Sequence, residues 1–176
     1  MQTERLTLRR PTLDDVAVVG PLLTDPEVVR FLGGEIVPPE AHPEIVQKWI
    51  DRWDTYGVGA FMVEHDGEFV GRTGVLVWDR RTWTHRGPKP PAEFQQPEIG
   101  WAFVRAAWGN GYATEAARAV VEWARTERRI DNLISLIAPA NIRSQRVAER
   151  LGATPGETIT HGDEAVESVV WRYRRA

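Results

Sequence analysis

The most constraining feature of the chain is a glycine-rich turn that joins a strand-like segment to an amphipathic helix. Residues 98–104 read Glu-Ile-Gly-Trp-Ala-Phe-Val, and residues 108–117 read Trp-Gly-Asn-Gly-Tyr-Ala-Thr-Glu-Ala-Ala. A strand, a tight turn and a new helix N-terminus direct several unpaired backbone N–H groups toward one place. The helix dipole adds partial positive charge there, so the segment predicts a binding site for a phosphate or diphosphate group.

Length and composition restrict the class of protein. A chain of 176 residues predicts one domain over residues 1–176 with a core of its own. Its 22 basic and 25 acidic residues leave a net charge of −3, which argues against a partner that is nucleic acid or an anionic membrane. The absence of cysteine excludes disulfides and thiolate sites, and the scattered histidines predict no metal. A charged N-terminus and the lack of a long apolar run predict a cytoplasmic protein.

Hydrophobic periodicity and turn residues predict the order of the elements. Strands are expected at residues 5–9, 60–63, 69–78, 98–104, 133–137, 157–160 and 166–173. Short helices are expected after Thr12 and after Asp25, and longer ones up to Gly57, from the glycine turn to about Arg128, and from Asn141 to Leu151. Residues 79–97 form a polar, proline-bearing loop without periodicity. This order predicts an α/β fold with a mixed sheet flanked by helices, not a doubly wound parallel fold.

The glycine turn matches neither of two common phosphate-binding motifs. It is not a Walker loop, because no Gly-Lys-Ser/Thr follows the glycines. It is not the dinucleotide fingerprint, because Ala113 and Thr114 stand where the third glycine would fall. A simpler alternative is that Gly109 and Gly111 only make a tight connection from strand to helix.

The wider sequence resembles a known superfamily. Residues 98–104 and 108–116, with Asn-Ile-Arg-Ser at 141–144 and Glu-Arg-Leu-Gly at 149–152, resemble the GNAT superfamily of acyl-CoA N-acyltransferases. The opening residues 3–11 and the Asp-Asp pair that follows are similar to its RimJ/RimL branch, the ribosomal-protein alanine N-acetyltransferases. The resemblance covers most of the chain. It implies the GNAT fold, with a splayed, mostly antiparallel central sheet, and acetyl transfer from acetyl-CoA by direct attack in a ternary complex. The acceptor would be a primary amine, either a protein N-terminus or a small molecule.

The resemblance also implies how acetyl-CoA is bound. The cofactor would lie in a splayed gap between the strand ending near Val104 and the one ending near Ala138. Its pantetheine would pair with the main chain of the first strand, its diphosphate with the backbone N–H groups of the turn, and its amide-bearing arm with Asn141. The cofactor-binding residues expected are Phe103, Val104, Trp108, Gly109, Asn110, Gly111, Tyr112, Ala113, Thr114, Asn141 and Ser144.

The sequence departs from the superfamily pattern at three positions. Ala106 stands where a basic residue usually precedes the glycines, and Arg105 is one step away. Ala148 stands where many members have a tyrosine that acts as an acid. Ala153 stands where an aromatic residue usually follows Gly152.

Amine acetylation needs a base for the ammonium, a donor to the oxyanion and a proton for the departing thiolate. The resemblance implies Glu98 as the base, acting through water, with Glu64 and Glu68 as weaker candidates. The competing interpretation of Glu98 is a solvated charge at a strand end. A backbone N–H near Val104 would stabilise the oxyanion.

With no tyrosine at position 148, the resemblance implies Ser144 as the acid for the thiolate. The competing interpretation of Ser144 is a first-turn residue whose hydroxyl bonds the helix backbone. Asn141 is expected to cap that helix as well as to contact the cofactor.

Two other functions stay open. The fold could bind an acyl-CoA as a non-catalytic sensor that has lost its acid, or it could transfer a different acyl group, such as succinyl. The loop at 79–97, with Trp83, His85 and Arg86, shapes either acceptor choice or a homodimer interface, unless it is merely disordered.

Overall fold

A computed structural model of the protein describes residues 1–85, 88–162 and 165–173. Its seven strands are β1 (Leu6–Arg9), β2 (Ala60–His65), β3 (Glu68–Asp79), β4 (Gln95–Phe103), β5 (Ile134–Ile137), β6 (Ala153–His161) and β7 (Val166–Tyr173). Its five α-helices are α1 (Gly20–Thr24), α2 (Pro26–Val29), α3 (His42–Tyr56), α4 (Tyr112–Thr126) and α5 (Ile142–Arg150).

The strands form one sheet in the order β1-β2-β3-β4-β5-β7-β6. β4 and β5 pair in parallel, whereas β1 with β2, β2 with β3, β5 with β7 and β6 with β7 pair antiparallel. The predicted mixed, mostly antiparallel sheet flanked by helices is confirmed. Within the described residues, no helix has both the length and the apolar character needed to cross a bilayer.

The chain divides into two compact units. Residues 1–74 and 101–116 form the first unit, and residues 75–100 and 117–176 form the second. The division passes through β3, β4 and α4, so these elements contribute residues to both units. The expectation of one domain over residues 1–176 stays a prediction.

The first unit has an apolar core beneath its helices. Side chains from α1, α2 and α3, with that of Val19 just before α1, meet two strand residues there: Val19, Leu22, Leu23, Val28, Val46, Trp49, Met62 and Ala102. Asp25 caps α2 by accepting the N–H of Glu27 at 3.0 Å, and α3 ends at Gly57 with a left-handed φ of 69°. Both boundaries follow the predicted capping residues, because they depend on local backbone geometry alone.

The helix expected after Thr12 is broken into two pieces. A 3-10 turn covers Leu13–Ala17, and α1 begins only at Gly20. The carboxylate of Asp15 accepts the N–H of Thr12 at 2.7 Å, so the capping box is present. Pro21 has no N–H to donate to the preceding turn, which prevents one continuous helix.

In the second unit α5 packs against β5 and β6, which lie on either side of β7. The predicted antiparallel pair at the end of the chain is confirmed, although β6 begins earlier, at Ala153. The loop expected at 79–97 is shorter than predicted, because β4 begins at Gln95 and a bridge joins Asp79 to Thr84.

Candidate functional site

The glycine turn lies in the first unit, between a 3-10 turn at Arg105–Ala107 and helix α4. Gly109 and Gly111 have φ angles of +82° and +80°. Residues with a Cβ rarely adopt this left-handed conformation, so the backbone itself requires glycine at both positions. The Gly-x-Gly pattern in the sequence reflects this geometry.

The side chain of Asn110 holds carbonyl groups of the turn. Its amide nitrogen donates to the carbonyl oxygens of Ala107 at 3.2 Å and Trp108 at 3.3 Å. In a trans peptide the C=O and the following N–H point in opposite directions. The N–H of Gly109, which shares a peptide with the Trp108 carbonyl, therefore points away from the Asn110 amide.

The N–H groups of the turn and of the first helical residues are left unpaired. Trp108 donates its N–H to the carbonyl of Arg105, and Glu115 donates its N–H to the carbonyl of Gly111, each at 3.1 Å. Across the part of the chain that the structure describes, the N–H groups of residues 109–114 have no acceptor. A row of free amides at the N-terminus of a 15-residue helix is suited to an anion.

Thr114 adds a second free donor beside these amides. Only 9% of the residue is exposed, and its hydroxyl oxygen has no hydrogen-bond partner among the described residues. A buried polar group without a partner costs about 1–3 kcal/mol. A phosphate oxygen in the turn would give this hydroxyl a partner, so the residues present fit a diphosphate.

The end of β4 restricts which backbone N–H near Val104 is free to stabilise an oxyanion. Val104 donates its N–H to the carbonyl of Val70 at 3.0 Å, so this N–H belongs to the sheet and is not free to stabilise an oxyanion. Alternation along a strand directs the main chain of Phe103 to the opposite edge. There its carbonyl accepts the indole N–H of Trp108 at 2.8 Å. The N–H of Phe103, not that of Val104, therefore faces the edge on which a ligand could pair.

Arg105 lies beside the turn but is already engaged. Its guanidinium forms an ion pair with Asp25 at 3.0 Å, and 63% of its side chain is exposed. Because Asp25 caps α2, the pair links the 3-10 turn before the glycines to that helix. Arg105 therefore joins two parts of the first unit and does not replace the basic residue missing at position 106.

Glu98, in the second unit, is held by two donors. Its carboxylate accepts the indole N–H of Trp78 at 2.6 Å and the backbone N–H of Leu136 at 3.2 Å. The residue is only partly exposed. The interpretation of Glu98 as a solvated strand-end charge is wrong, because specific N–H donors replace water at both carboxylate oxygens.

The same carboxylate lies where the parallel pairing of β4 and β5 stops. The two strands pair at Glu98 and Ile134. Beyond this pair, side chains form hydrogen bonds with main-chain groups. The Glu98 carboxylate accepts the N–H of Leu136, and the Ser135 hydroxyl donates to the carbonyl of Ile99 at 2.6 Å. These bonds satisfy the groups that would otherwise continue the ladder, which explains why pairing ends there.

Two histidines pack against Trp78 and were not predicted to be near Glu98. The ring centroids of His85 and His161 lie 4.6 Å and 5.0 Å from that of Trp78, edge to face. The ring of His161 also shares a 2.9 Å hydrogen bond with the hydroxyl of Ser168, and burial lowers its pKa. No local pattern in the sequence marks this cluster, because its members come from β3, the following loop, β6 and β7.

The loop after β3 is tied to the end of β6. Trp83 accepts the N–H of Gly162 at 2.8 Å through its carbonyl, which joins this part of the predicted loop to the residue after β6. Arg86, which was expected to act with Trp83 and His85, lies outside the described residues.

The N-terminus of α5 carries the other two expected site residues. Asn141 caps the helix through its side-chain oxygen, which accepts the N–H of Ser144 at 3.2 Å. The expected cap is confirmed. Within the described residues, neither the Asn141 amide nitrogen nor the Ser144 hydroxyl has a hydrogen-bond partner, so the interpretation in which that hydroxyl bonds the helix backbone is wrong.

Of the remaining acid and base candidates, Glu68 is an exposed carboxylate at the start of β3, and the others are occupied or absent. Glu64 forms an ion pair with Arg9 at 2.7 Å, and Ala148 is completely buried. Tyr173 is buried and lies 2.8 Å from the Ser135 hydroxyl. Because that hydroxyl already donates to Ile99, Tyr173 must donate to it. Burial raises the pKa of Tyr173, so it does not replace the missing tyrosine acid.

Comparison with known sequences gives one family. Residues 5–154 match the acetyltransferase (GNAT) domain family. The chain is also 33% identical over 161 residues to YkkB, an uncharacterised protein of Bacillus subtilis (strain 168), and this match covers 89% of the chain and 86% of YkkB.

Comparison with solved structures agrees. An acetyltransferase from Agrobacterium tumefaciens str. C58 is similar with a TM-score of 0.79 and 29% identity, over 99% of this chain and 94% of that one. The aminoglycoside acetyltransferase AAC(6')-Ib, solved in complex with coenzyme A, is similar with a TM-score of 0.76, over 97% of this chain and 95% of that one. Its identity is 21%, so this second likeness concerns the fold alone.

The lowered pKa of His161 predicts a pH dependence of stability. Below the ordinary histidine pKa the unfolded chain binds a proton that the folded ring resists, so the free energy of unfolding falls as the solution is acidified. Between pH 7.5 and pH 5.5 we expect the free energy of unfolding to fall less in His161→Gln than in the native protein. The reason is that the variant takes up about one proton fewer when it unfolds. Urea unfolding at both pH values measures this; equal losses in the two proteins would contradict the assignment.

Proposed function

Because the chain belongs to the GNAT family of acetyltransferases, we propose that it transfers the acetyl group of acetyl-CoA to a primary amine by direct attack. The proposed acceptor is a protein N-terminal amine or a small-molecule amine, as in the RimJ/RimL branch that the N-terminal sequence resembles. The observation that carries the proposal is the row of unpaired N–H groups at residues 109–114, beside the buried free hydroxyl of Thr114.

In this proposal the turn binds the diphosphate of coenzyme A. The free amides and the helix dipole supply hydrogen bonds and positive potential without a basic side chain, which is consistent with the engagement of Arg105 by Asp25. The N–H of Phe103 pairs with the pantetheine. In the second unit, the amide nitrogen of Asn141 stays a proposed cofactor contact. The similar fold of AAC(6')-Ib in its complex with coenzyme A supports this assignment.

Glu98 is the proposed base. The incoming ammonium gives a proton to this carboxylate, directly or through one water, and the nitrogen lone pair then attacks the thioester carbon. Trp78 and Leu136 each hold one carboxylate oxygen. Their two bonds fix the orientation of the base, and an ionised carboxylate is an acceptor that can take a proton.

Ser144 is the proposed donor to the leaving group. Collapse of the tetrahedral intermediate breaks the C–S bond, and the departing sulfur takes a proton through the Ser144 hydroxyl, which solvent reprotonates. Ser144 lies in the first turn of α5, so in this proposal the positive end of that helix dipole also stabilises the developing thiolate. The products are the acetylated amine and the free thiol. The ammonium loses two protons: the first goes to Glu98 and then to solvent, and the second leaves the nitrogen for solvent as the intermediate collapses, which balances the proton that Ser144 recovers.

Binding of coenzyme A is tested by Thr114→Val. Valine keeps the shape of threonine but removes the free hydroxyl, so we expect the Kd for coenzyme A to rise about tenfold. Without ligand the variant should be no less stable than the native protein, because the hydroxyl has no internal bond to lose. Calorimetry and thermal unfolding measure the two effects.

Thr126→Val is the matched control for this variant. It lies in the last turn of the same helix, and its hydroxyl donates to the carbonyl of Glu122 at 2.9 Å. We expect it to lower the stability but to leave the Kd for coenzyme A unchanged. If the folded native protein releases no heat with coenzyme A at high concentration, the proposed function fails.

The chemical step is tested by Glu98→Gln and Ser144→Ala. Each should lower kcat by about a hundredfold, with the Kd for coenzyme A unchanged, in an assay of thiol release from acetyl-CoA over a panel of amines. Glu68→Gln tests the weaker base candidate, an exposed carboxylate at the start of β3, and should leave kcat unchanged if Glu98 is the base. Tight binding without thiol release from any amine would favour a sensor instead, and faster release from succinyl-CoA would favour another acyl group.

A further inference from the structure

Arg5 joins the glycine turn to the first turn of α4. Its Nη1 donates to the carbonyl oxygen of Asn110 at 3.1 Å, and its Nε donates to Glu115 Oε2 at 2.8 Å. Its Nη2 lies 2.7 Å from the same Glu115 oxygen. A planar guanidinium can serve both partners at once, which the single ammonium of a lysine does not do with the same geometry.

The bond to Asn110 fixes the direction of the next amide. The described backbone has no cis peptide, so the C=O of Asn110 and the N–H of Gly111 point in opposite directions. Because the carbonyl faces Arg5, the N–H of Gly111 faces away from it. The Trp108 carbonyl is held in the same manner by the Asn110 side chain, so two alternate carbonyls are bound by protein donors and the amides of Gly109 and Gly111 are left for a ligand.

Glu115 holds Arg5 in place. Its Oε1 accepts the hydroxyl of Thr3 at 2.6 Å and the backbone N–H of Arg5 at 2.9 Å. Burial raises the pKa of Glu115, but these hydrogen bonds and the guanidinium outweigh burial and leave the pKa below its ordinary value. The carboxylate is therefore ionised at neutral pH, and the guanidinium also lies 4.9 Å from the ring centre of Tyr112.

We infer that Arg5 is a positioning residue for the diphosphate of coenzyme A, because it orients the Asn110–Gly111 peptide so that the Gly111 N–H faces the ligand. The inference rests on the proposed function. It gives the N-terminal segment a role at the turn, although Arg5 itself contacts the protein and not the reacting atoms.

The inference is tested with two ligands that share the pantetheine arm. Coenzyme A carries the diphosphate, whereas S-acetylpantetheine lacks it. We expect Arg5→Met to raise the Kd for coenzyme A about tenfold and to leave the Kd for S-acetylpantetheine unchanged, measured by calorimetry and by NMR titration respectively. Arg5→Lys should raise the Kd for coenzyme A by a similar factor, because lysine keeps the charge but cannot contact Asn110 and Glu115 at once.

Arg10→Met is the matched control, because Arg10 follows β1 directly and stacks 4.3 Å from the ring centre of Trp53. It removes the same charge and should bind both ligands as the native protein does. Three results overturn the inference: native affinity for coenzyme A in Arg5→Met, an equal loss for both ligands, or native affinity in Arg5→Lys. If Arg5→Met does not fold, Arg5→Lys carries the comparison. No binding of coenzyme A by the native protein would instead refute the proposed function.

Discussion

The structure of the candidate site depends on the direction of a few peptide groups in the glycine turn. Asn110 and Arg5 bind the carbonyls of the turn, and left-handed glycines allow the chain to reverse without a clash. The N–H groups of residues 109–114 are consequently left without internal acceptors. An anion site made this way needs no basic side chain in contact with the ligand, which explains how the chain does without a basic residue at position 106.

In the second unit, too, side chains bind main-chain groups. The Glu98 carboxylate and the Ser135 hydroxyl form hydrogen bonds with main-chain groups that would otherwise pair β4 with β5. Glu98 is thereby both the end of a strand pairing and the proposed base. A carboxylate in this position is held by the sheet itself, so its orientation does not depend on a mobile loop.

The sequence predicts the features that depend on neighbouring residues. The glycine turn, the caps at Asp25 and Asn141 and the end of α3 at Gly57 are each set by local backbone geometry. Contacts between distant residues were not predictable: Arg5 and Glu115 are 110 positions apart, and Trp78 meets Glu98 only through the sheet. The sequence predicted an oxyanion donor near Val104 but not which residue supplies it, because strand alternation decides which edge each N–H faces.

The claim that this turn binds a diphosphate is tested most directly by a crystal structure with coenzyme A. The account predicts diphosphate oxygens within about 3 Å of the N–H groups of Gly109 and Gly111 and of the Thr114 hydroxyl. A structure in which coenzyme A is bound while these donors face solvent, or in which its diphosphate is held by other residues, would contradict it.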